Sequence, residues 1–146
     1  MSAASPKRRQ RIVRVRHVQH LQAGLAAAAA QEKVDQLQTS ADRLVTLRGS
    51  LLDLSGATTG AFLAHKHELA QRLDQARHGL TDAIVGAEKL AEQKAEARME
   101  ARRQQESAEK LAQRAEAQFQ RMIELKAMAQ GRRRRAAVAG DEGAQP

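Results

Sequence analysis

Eighteen positions between Leu69 and Ala129, taken at alternating steps of four and three, constrain this chain more than any other feature. They are Leu69, Leu73, Ala76, Leu80, Ala83, Ala87, Leu90, Lys94, Ala97, Ala101, Gln104, Ala108, Leu111, Ala115, Gln118, Met122, Leu125 and Ala129. All but Lys94, Gln104 and Gln118 are apolar. Such a column is a heptad seam, held over roughly eight or nine heptads where three or four suffice for a coiled coil. No Pro interrupts it, and the other faces carry Glu, Gln, Lys, Arg and Ala, which are strong helix formers. At about 1.5 Å per residue the helix would be roughly 90 Å long. That is too long to be wrapped by a globular domain of this size, so the seam needs a helical partner, and the nearest candidate lies upstream in the same chain.

Composition narrows the function. The 146 residues include two Phe and no Trp or Tyr. The bulky aromatics that dominate ordinary cores are missing, and Ala and Leu supply most of the apolar content. A compact core holding catalytic machinery does not fit this profile. With no Cys, disulfides, thiolate metal sites and Cys nucleophiles are excluded. The net charge of +8 sits at the ends. Lys7, Arg8, Arg9, Arg11, Arg14 and Arg16 lie near the start and Arg132 to Arg135 near the end, while residues 17 to 131 hold fifteen basic and fifteen acidic side chains. No run of about eighteen apolar residues is present, so no transmembrane helix is expected. The basic N-terminus lacks the unbroken apolar core of a signal peptide, because His17, Gln19, His20 and Gln22 interrupt it.

Taken in order, residues 1–6 read as a disordered start and 7–54 as a first helix. Its apolar residues fall into three stripes: Val18, Leu21, Leu25 and Ala28; Val34, Leu37, Ala41 and Leu44; and Leu47, Leu51 and Leu54. The phase slips within the Ala26–Ala30 run and again between Leu44 and Leu47. Residues 55–60 are the clear interior break, where Gly56 suits a C-cap and Thr58 or Thr59 an N-cap. Leu51, Leu52, Leu54, Phe62 and Leu63 flank it as the bulkiest apolar cluster. The second helix is expected over 61–130. Gly79 and Gly86, one heptad apart, read either as tolerated losses or as a close backbone contact. Gly131 would end the helix, leaving 132–146 as a basic and then disordered tail.

A short connector between two long helices makes them antiparallel neighbours. The predicted fold is therefore all-α, an elongated antiparallel two-helix coiled-coil hairpin with a longer C-terminal helix. Folding near residue 57 or 58 places Lys7 opposite residue 108, so the second helix overhangs by some twenty residues, roughly 30 Å. Leu111, Ala115, Phe119, Met122, Ile123, Leu125 and Met128 would then lack an intramolecular partner. Both basic clusters lie toward this same end.

No catalytic, cofactor-binding or metal-ligating constellation emerges, and the chain reads as a non-enzyme. His65 and His67 diverge on a helix; His17 and His20 could share a face, but nothing completes a metal site around them. Acidic and basic residues alternate at helical spacing, as in Glu106 with Lys110, which is the pattern of a solvated helix face. For the basic ends three readings stand together: solubility, phosphate binding, or docking into an acidic or carbonyl-lined protein ring. No aromatics are available to stack bases, and no helix-turn-helix, zinc-finger or basic-zipper pattern appears.

The opening Arg11-Ile12-Val13-Arg14-Val15-Arg16-His17-Val18-Gln19, the bend, and the longer Arg/Gln/Glu-rich helix ending in a basic tail resemble the flagellar export protein FliJ family and the equivalent stalk proteins of virulence type III secretion. The resemblance implies an antiparallel two-helix stalk similar to the γ subunit of rotary ATP synthases. Its terminal end would enter a hexameric export ATPase and promote its assembly and activity. The stalk would also contact the membrane export gate protein and bind export chaperones. It implies a cytoplasmic location, peripheral to the membrane at the flagellar base, with no specific nucleic acid. By this analogy Arg8, Arg9, Arg11, Arg14, Arg16, Arg114 and Arg121 would face the ATPase ring, and Leu51, Leu54, Phe62 and Leu63 the gate or chaperones. The competing expectations are a nucleic-acid-associated basic coiled coil and a structural coiled-coil dimer.

Overall fold

The computed structural model describes residues 6–53 and 59–141, and in it the chain is two helices. Helix α1 spans Pro6–Asp53 (48 residues) and α2 spans Gly60–Asp141 (82 residues). Among the described residues there is no strand. Pro6 opens α1, where its missing N–H is harmless and its fixed φ suits the first turn. Thr59 caps α2: its Oγ1 accepts from the Phe62 N–H at 3.4 Å, and its carbonyl accepts from the Leu63 N–H at 3.2 Å. Residues 1–5, 54–58 and 142–146 lie outside the described residues. With them fall the expected Gly56 C-cap, the alternative Thr58 cap and most of the expected turn.

Helix α2 does not end at Gly131. It continues through Arg132–Arg135 to Asp141, and Gly131 keeps a helical backbone with no positive φ. One interior Gly costs about 1 kcal/mol relative to Ala, and the flanking Ala, Gln and Arg are good helix formers with no Pro among them. A single weak residue does not terminate such a run. Gly79 and Gly86 are likewise helical, and a Cβ on either would meet nothing within 4 Å, so no close backbone contact explains them.

The chain divides into two compact units, His20–Glu100 and a second made of Met1–Gln19 with Ala101–Pro146. Within the first, four contacts join the two helices. Lys66 Nζ donates to the Leu52 carbonyl at 3.2 Å, and Arg48 Nε lies 3.0 Å from Asp74 Oδ1. Gln38 Nε2 donates to Glu88 Oε1 at 3.4 Å, and a Cβ on Gly24 would lie 3.9 Å from Arg98 Nε. Within the second unit, Arg16 Nη1 donates to Gln104 Oε1 at 2.6 Å.

Burial identifies the contact face of each helix. On α1 the shielded positions include Pro6, Arg9, Val13, Arg16, His20, Ala23, Ala27, Ala30, Val34, Leu37, Ala41, Leu44, Arg48 and Leu51, with Gly24, Ala26, Ser40 and Gly49 shielded beside them. The fourteen step by three and four and the other four flank that line, which replaces the three separately phased stripes. The middle stripe, Val34 to Leu44, lies on this face. Val18, Leu21 and Leu25 are instead 50%, 52% and 73% exposed, and Leu47 is 56% exposed. Small residues explain the change. Ala23, Ala27 and Ala30 permit close approach of a second helix, whereas Leu21 and Leu25 on the opposite face would hold it off.

On α2 seven of the eighteen expected positions stand: Leu69, Leu73, Leu80, Ala87, Ala101, Ala108 and Ala115 are shielded. Shielding also falls one residue past expected positions, at Ala70, Ile84, Ala91, Gln105 and Ala112. Leu90 and Leu111 are left 48% and 44% exposed, and Lys94, Gln104 and Gln118 are exposed rather than seam-buried. The packing is thin: Val34, at 3% exposure, is the one buried apolar side chain among the described residues. The register also differs. Gln10, Val13 and Arg14 share a groove with Glu109, Ala112 and Gln113, about one heptad beyond the pairing of Lys7 with residue 108.

Candidate partner-binding surfaces

The unit that contains the start of α1 and the end of α2 carries most of the positive charge. Met1–Gln19 and Ala101–Pro146 together hold sixteen basic against six acidic side chains, a net of +10. His20–Glu100 holds nine against eleven, a net of −2. The overall +8 is therefore the sum of a strongly basic unit and a nearly neutral one.

The seven arginines expected to meet a partner ring all lie in the basic unit, but in two different situations. Arg8, Arg11, Arg14, Arg114 and Arg121 are exposed. Arg9 and Arg16 are half-buried on the face that meets α2. Arg16 donates to Gln104 Oε1 at 2.6 Å and to Gln19 Oε1 at 2.9 Å, so its guanidinium is committed within the chain. Arg9 Nε is shielded and finds no hydrogen-bond partner among the described residues. Arg14 borders the groove of about 350 Å³ formed with Gln10, Val13, Glu109, Ala112 and Gln113. Glu109 accepts from Gln105 Nε2 at 2.8 Å.

Beyond the groove α2 has no neighbour among the described residues. Every described side chain from residue 117 onward is exposed. Phe119, Met122, Ile123, Leu125 and Met128 are 41–66% exposed, and Arg132 to Arg135 follow them on the same continuous helix. The four arginines are absent from the sequence-derived site because Gly131 was read as a helix end. The run of helix formers on both sides of that Gly was the available signal.

The other expected surface lies beside the interior break. Leu51 is half-buried, while Phe62 and Leu63 are 43% and 52% exposed in the first turn of α2. Leu52 is 59% exposed. Leu54 lies outside the described residues. Of the apolar cluster that flanks the break, Leu52, Phe62 and Leu63 thus face solvent and Leu51 is half-buried. Thr59 capping explains this: it sets the first-turn backbone of α2 through main-chain bonds, with no demand on where Phe62 and Leu63 pack.

The polar surface elsewhere is ordinary helix chemistry. Arg72 pairs with Glu68 at 2.6 Å and Arg102 with Glu106 at 3.0 Å, both four residues apart. Glu106 thus has Arg102, on its N-terminal side, as a partner. Among the described residues no group of three or more His, Asp or Glu side chains could hold a metal ion. His67 Nε2 lies 3.1 Å from Gln71 Nε2, and His78 Nδ1 lies 2.7 Å from the Asp74 carbonyl; both are local contacts along α2. No helix among the described residues is long and apolar enough to cross a membrane. Comparison with protein-family models, curated proteins and solved structures finds no match to this chain.

Proposed function

We propose that the chain is an antiparallel two-helix coiled coil acting as a stalk and chaperone-escort component of the flagellar type III protein export apparatus. In this reading it works by binding, with no catalysis of its own. It engages and stimulates a hexameric export ATPase, connects it to the membrane export gate protein, and hands over export chaperones. Its place is the cytoplasmic face of the membrane at the flagellar base. The observation that carries the reading is the concentration of sixteen basic side chains in the unit that holds the start of α1 and the end of α2. The opposed sense of the interhelical contacts and the heptad stepping of the shielded positions support the coiled coil.

Five exposed arginines, Arg8, Arg11, Arg14, Arg114 and Arg121, are the candidate ring contacts. Arg16 serves instead to tie α1 to α2 through Gln104, and Arg9 is shielded on the same face. Phe62 and Leu63, with Leu51 beneath them, are candidates for the gate or chaperones. The test is steady-state ATPase activity of the host's flagellar export ATPase at physiological salt, with and without this protein. Stimulation with hexamer formation, lost in the double variant Arg14→Glu/Arg121→Glu, supports the stalk. Undiminished stimulation in that variant removes the arginine assignment. If stimulation is absent while polyanions bind with a steep salt dependence, the function lies with nucleic acid instead. Sedimentation as a dimer with neither activity would leave a structural coiled coil.

A further inference from the structure

The last third of α2 joins two properties that the basic charge alone does not explain. Residues 117–136 carry six basic side chains and one acidic one, Glu124, on a helix with no neighbour among the described residues. The same stretch exposes Phe119, Met122, Ile123, Leu125 and Met128. At roughly 100° per residue these five apolar side chains fall in one arc of about 220°. Arg121, Lys126, Arg132 and Arg133 fall inside that arc, and Arg134 and Arg135 lie just outside its two edges. Glu124 lies on the remaining face, with Gln120, Ala127 and Gly131. Apolar and cationic side chains are therefore interleaved over most of the helix circumference, and the single carboxylate lies on the narrower remaining face.

A coiled-coil partner does not match this face. The columns that carry the pairing through Ala112 and Ala115 continue as Phe119, Met122, Lys126, Ala129, Arg133 and Ala136. A partner helix would find one heptad of large apolar positions and then charge. A second copy of the same segment would bring like charges together. Nucleic acid would use the arginines and leave the apolar side chains in water. An anionic bilayer surface uses both, because a helix lying in the interface buries irregularly spaced apolar side chains among the headgroups while basic residues meet the lipid phosphates.

We propose that residues 117–136 of α2 are an anionic-lipid-binding segment of mixed apolar and basic character that lies at the membrane interface, with Phe119, Met122, Ile123, Leu125 and Met128 entering the headgroup layer and Arg121, Lys126 and Arg132–Arg135 reaching the lipid phosphates. The contact is direct, between this chain and lipid. It stands apart from the stalk reading, since vesicle binding and ATPase stimulation are separate assays and either fails without the other.

The test is flotation of the full chain with phosphatidylglycerol–phosphatidylcholine vesicles and with phosphatidylcholine alone. The mixed vesicles should retain at least about tenfold more protein, since each basic residue near an anionic surface is worth about 1 kcal/mol. Phe119→Gln/Ile123→Gln/Leu125→Gln should lose at least about tenfold in binding, and the quadruple Arg132–135→Gln variant between about tenfold and a thousandfold, the upper figure being the full value of four surface charges. Gln is a good helix former and these side chains are exposed, so far-UV circular dichroism should be unchanged. Glu124→Lys adds charge on the face turned away and should change binding by less than about threefold. Wild-type binding by the apolar triple variant would overturn the proposal, as would a tenfold gain with Glu124→Lys, because either means adsorption by net charge alone. Capture by polyuridylate or polyglutamate without vesicle flotation would overturn it as well.

Discussion

The continuous phase of the α1 contact face makes a quantitative claim about two truncations, Val34→Ala and Leu25→Ala. Leu25→Ala removes three carbons and Val34→Ala removes two. At about 0.8 kcal/mol per buried methylene, equal burial would make the Leu change the costlier, about 2.4 against about 1.6 kcal/mol. The structure inverts that order. Leu25 is 73% exposed, so about a quarter of its transfer energy is at stake, roughly 0.6 kcal/mol. The better helix propensity of Ala returns a few tenths of that. Val34 is 3% exposed, so nearly all of its roughly 1.6 kcal/mol is lost, and the cavity adds to it. The gain in propensity from β-branched Val to Ala offsets roughly 0.5 kcal/mol. The net expectation is about 1.5 kcal/mol or more for Val34→Ala and under about 0.5 kcal/mol for Leu25→Ala. Thermal unfolding followed by far-UV circular dichroism reads the difference, with concentrations taken from peptide-bond absorbance because the chain has no Trp or Tyr. A Leu25→Ala variant as destabilised as Val34→Ala would refute the single phase. It would mean that Val18, Leu21 and Leu25 pack inward, as three separately phased stripes require.

Three other measurements bear on the same structure. In a double-mutant cycle, Arg48→Ala and Asp74→Ala should couple by no more than about 1 kcal/mol at low salt and less at high salt, because both side chains are more than a third exposed. A coupling above that, insensitive to salt, would mean a far more buried pair. Gly131→Ala should add helix, worth about 1 kcal/mol, and Gly131→Pro should lose it beyond that point. Equal helix content in all three chains would remove residues 132–141 from α2. Amide hydrogen exchange should be slowest in residues 34–51 and 73–87 and fastest in α2 beyond residue 117, where no described side chain is shielded. Uniform protection along α2 would contradict the burial pattern.

Sequence alone made the helical character and the interior break legible because both rest on local chemistry. Pro-free stretches rich in Ala, Leu, Glu and Arg give helix, and Thr ahead of such a stretch gives a cap. The contact face was only half legible. Leu73, Leu80 and Ala87 were placed, but Leu90 and Leu111 were preferred over Ala91 and Ala112 because periodicity weights large apolar residues. In a thin interface, small size is what lets helices meet, so Ala outranks Leu where the partner also offers Ala23, Ala27 and Ala30. The same reasoning hid Arg9, Arg16 and His20, polar residues at shielded α1 positions that no hydropathy pattern selects. Among the site residues, charge was legible and its availability was not. Arg8, Arg11 and Arg14 differ from Arg9 and Arg16 only in the face that the helix gives them.

The shielded positions also differ systematically between the two units, and that difference bears on function. In His20–Glu100 they include Val34, Leu37, Leu44, Leu51, Leu73, Leu80 and Ile84. In the basic unit they are Pro6, Arg9, Val13, Arg16, Ala101, Gln105, Ala108, Glu109, Ala112, Ala115 and Glu116, with Val13 the largest aliphatic side chain. Each Leu replaced by Ala gives up as much as roughly 2 kcal/mol of burial, and Arg9 Nε and Gln105 Oε1 are shielded without a hydrogen-bond partner among the described residues. Apolar stabilisation is therefore concentrated in the neutral unit, while the charge of +10 is placed where the helices are held most weakly. Self-repulsion among those charges weakens that unit further. An anionic partner would relieve the repulsion and add the burial that the Ala-lined face lacks. Binding of such a partner would therefore be coupled to stabilisation of the basic unit.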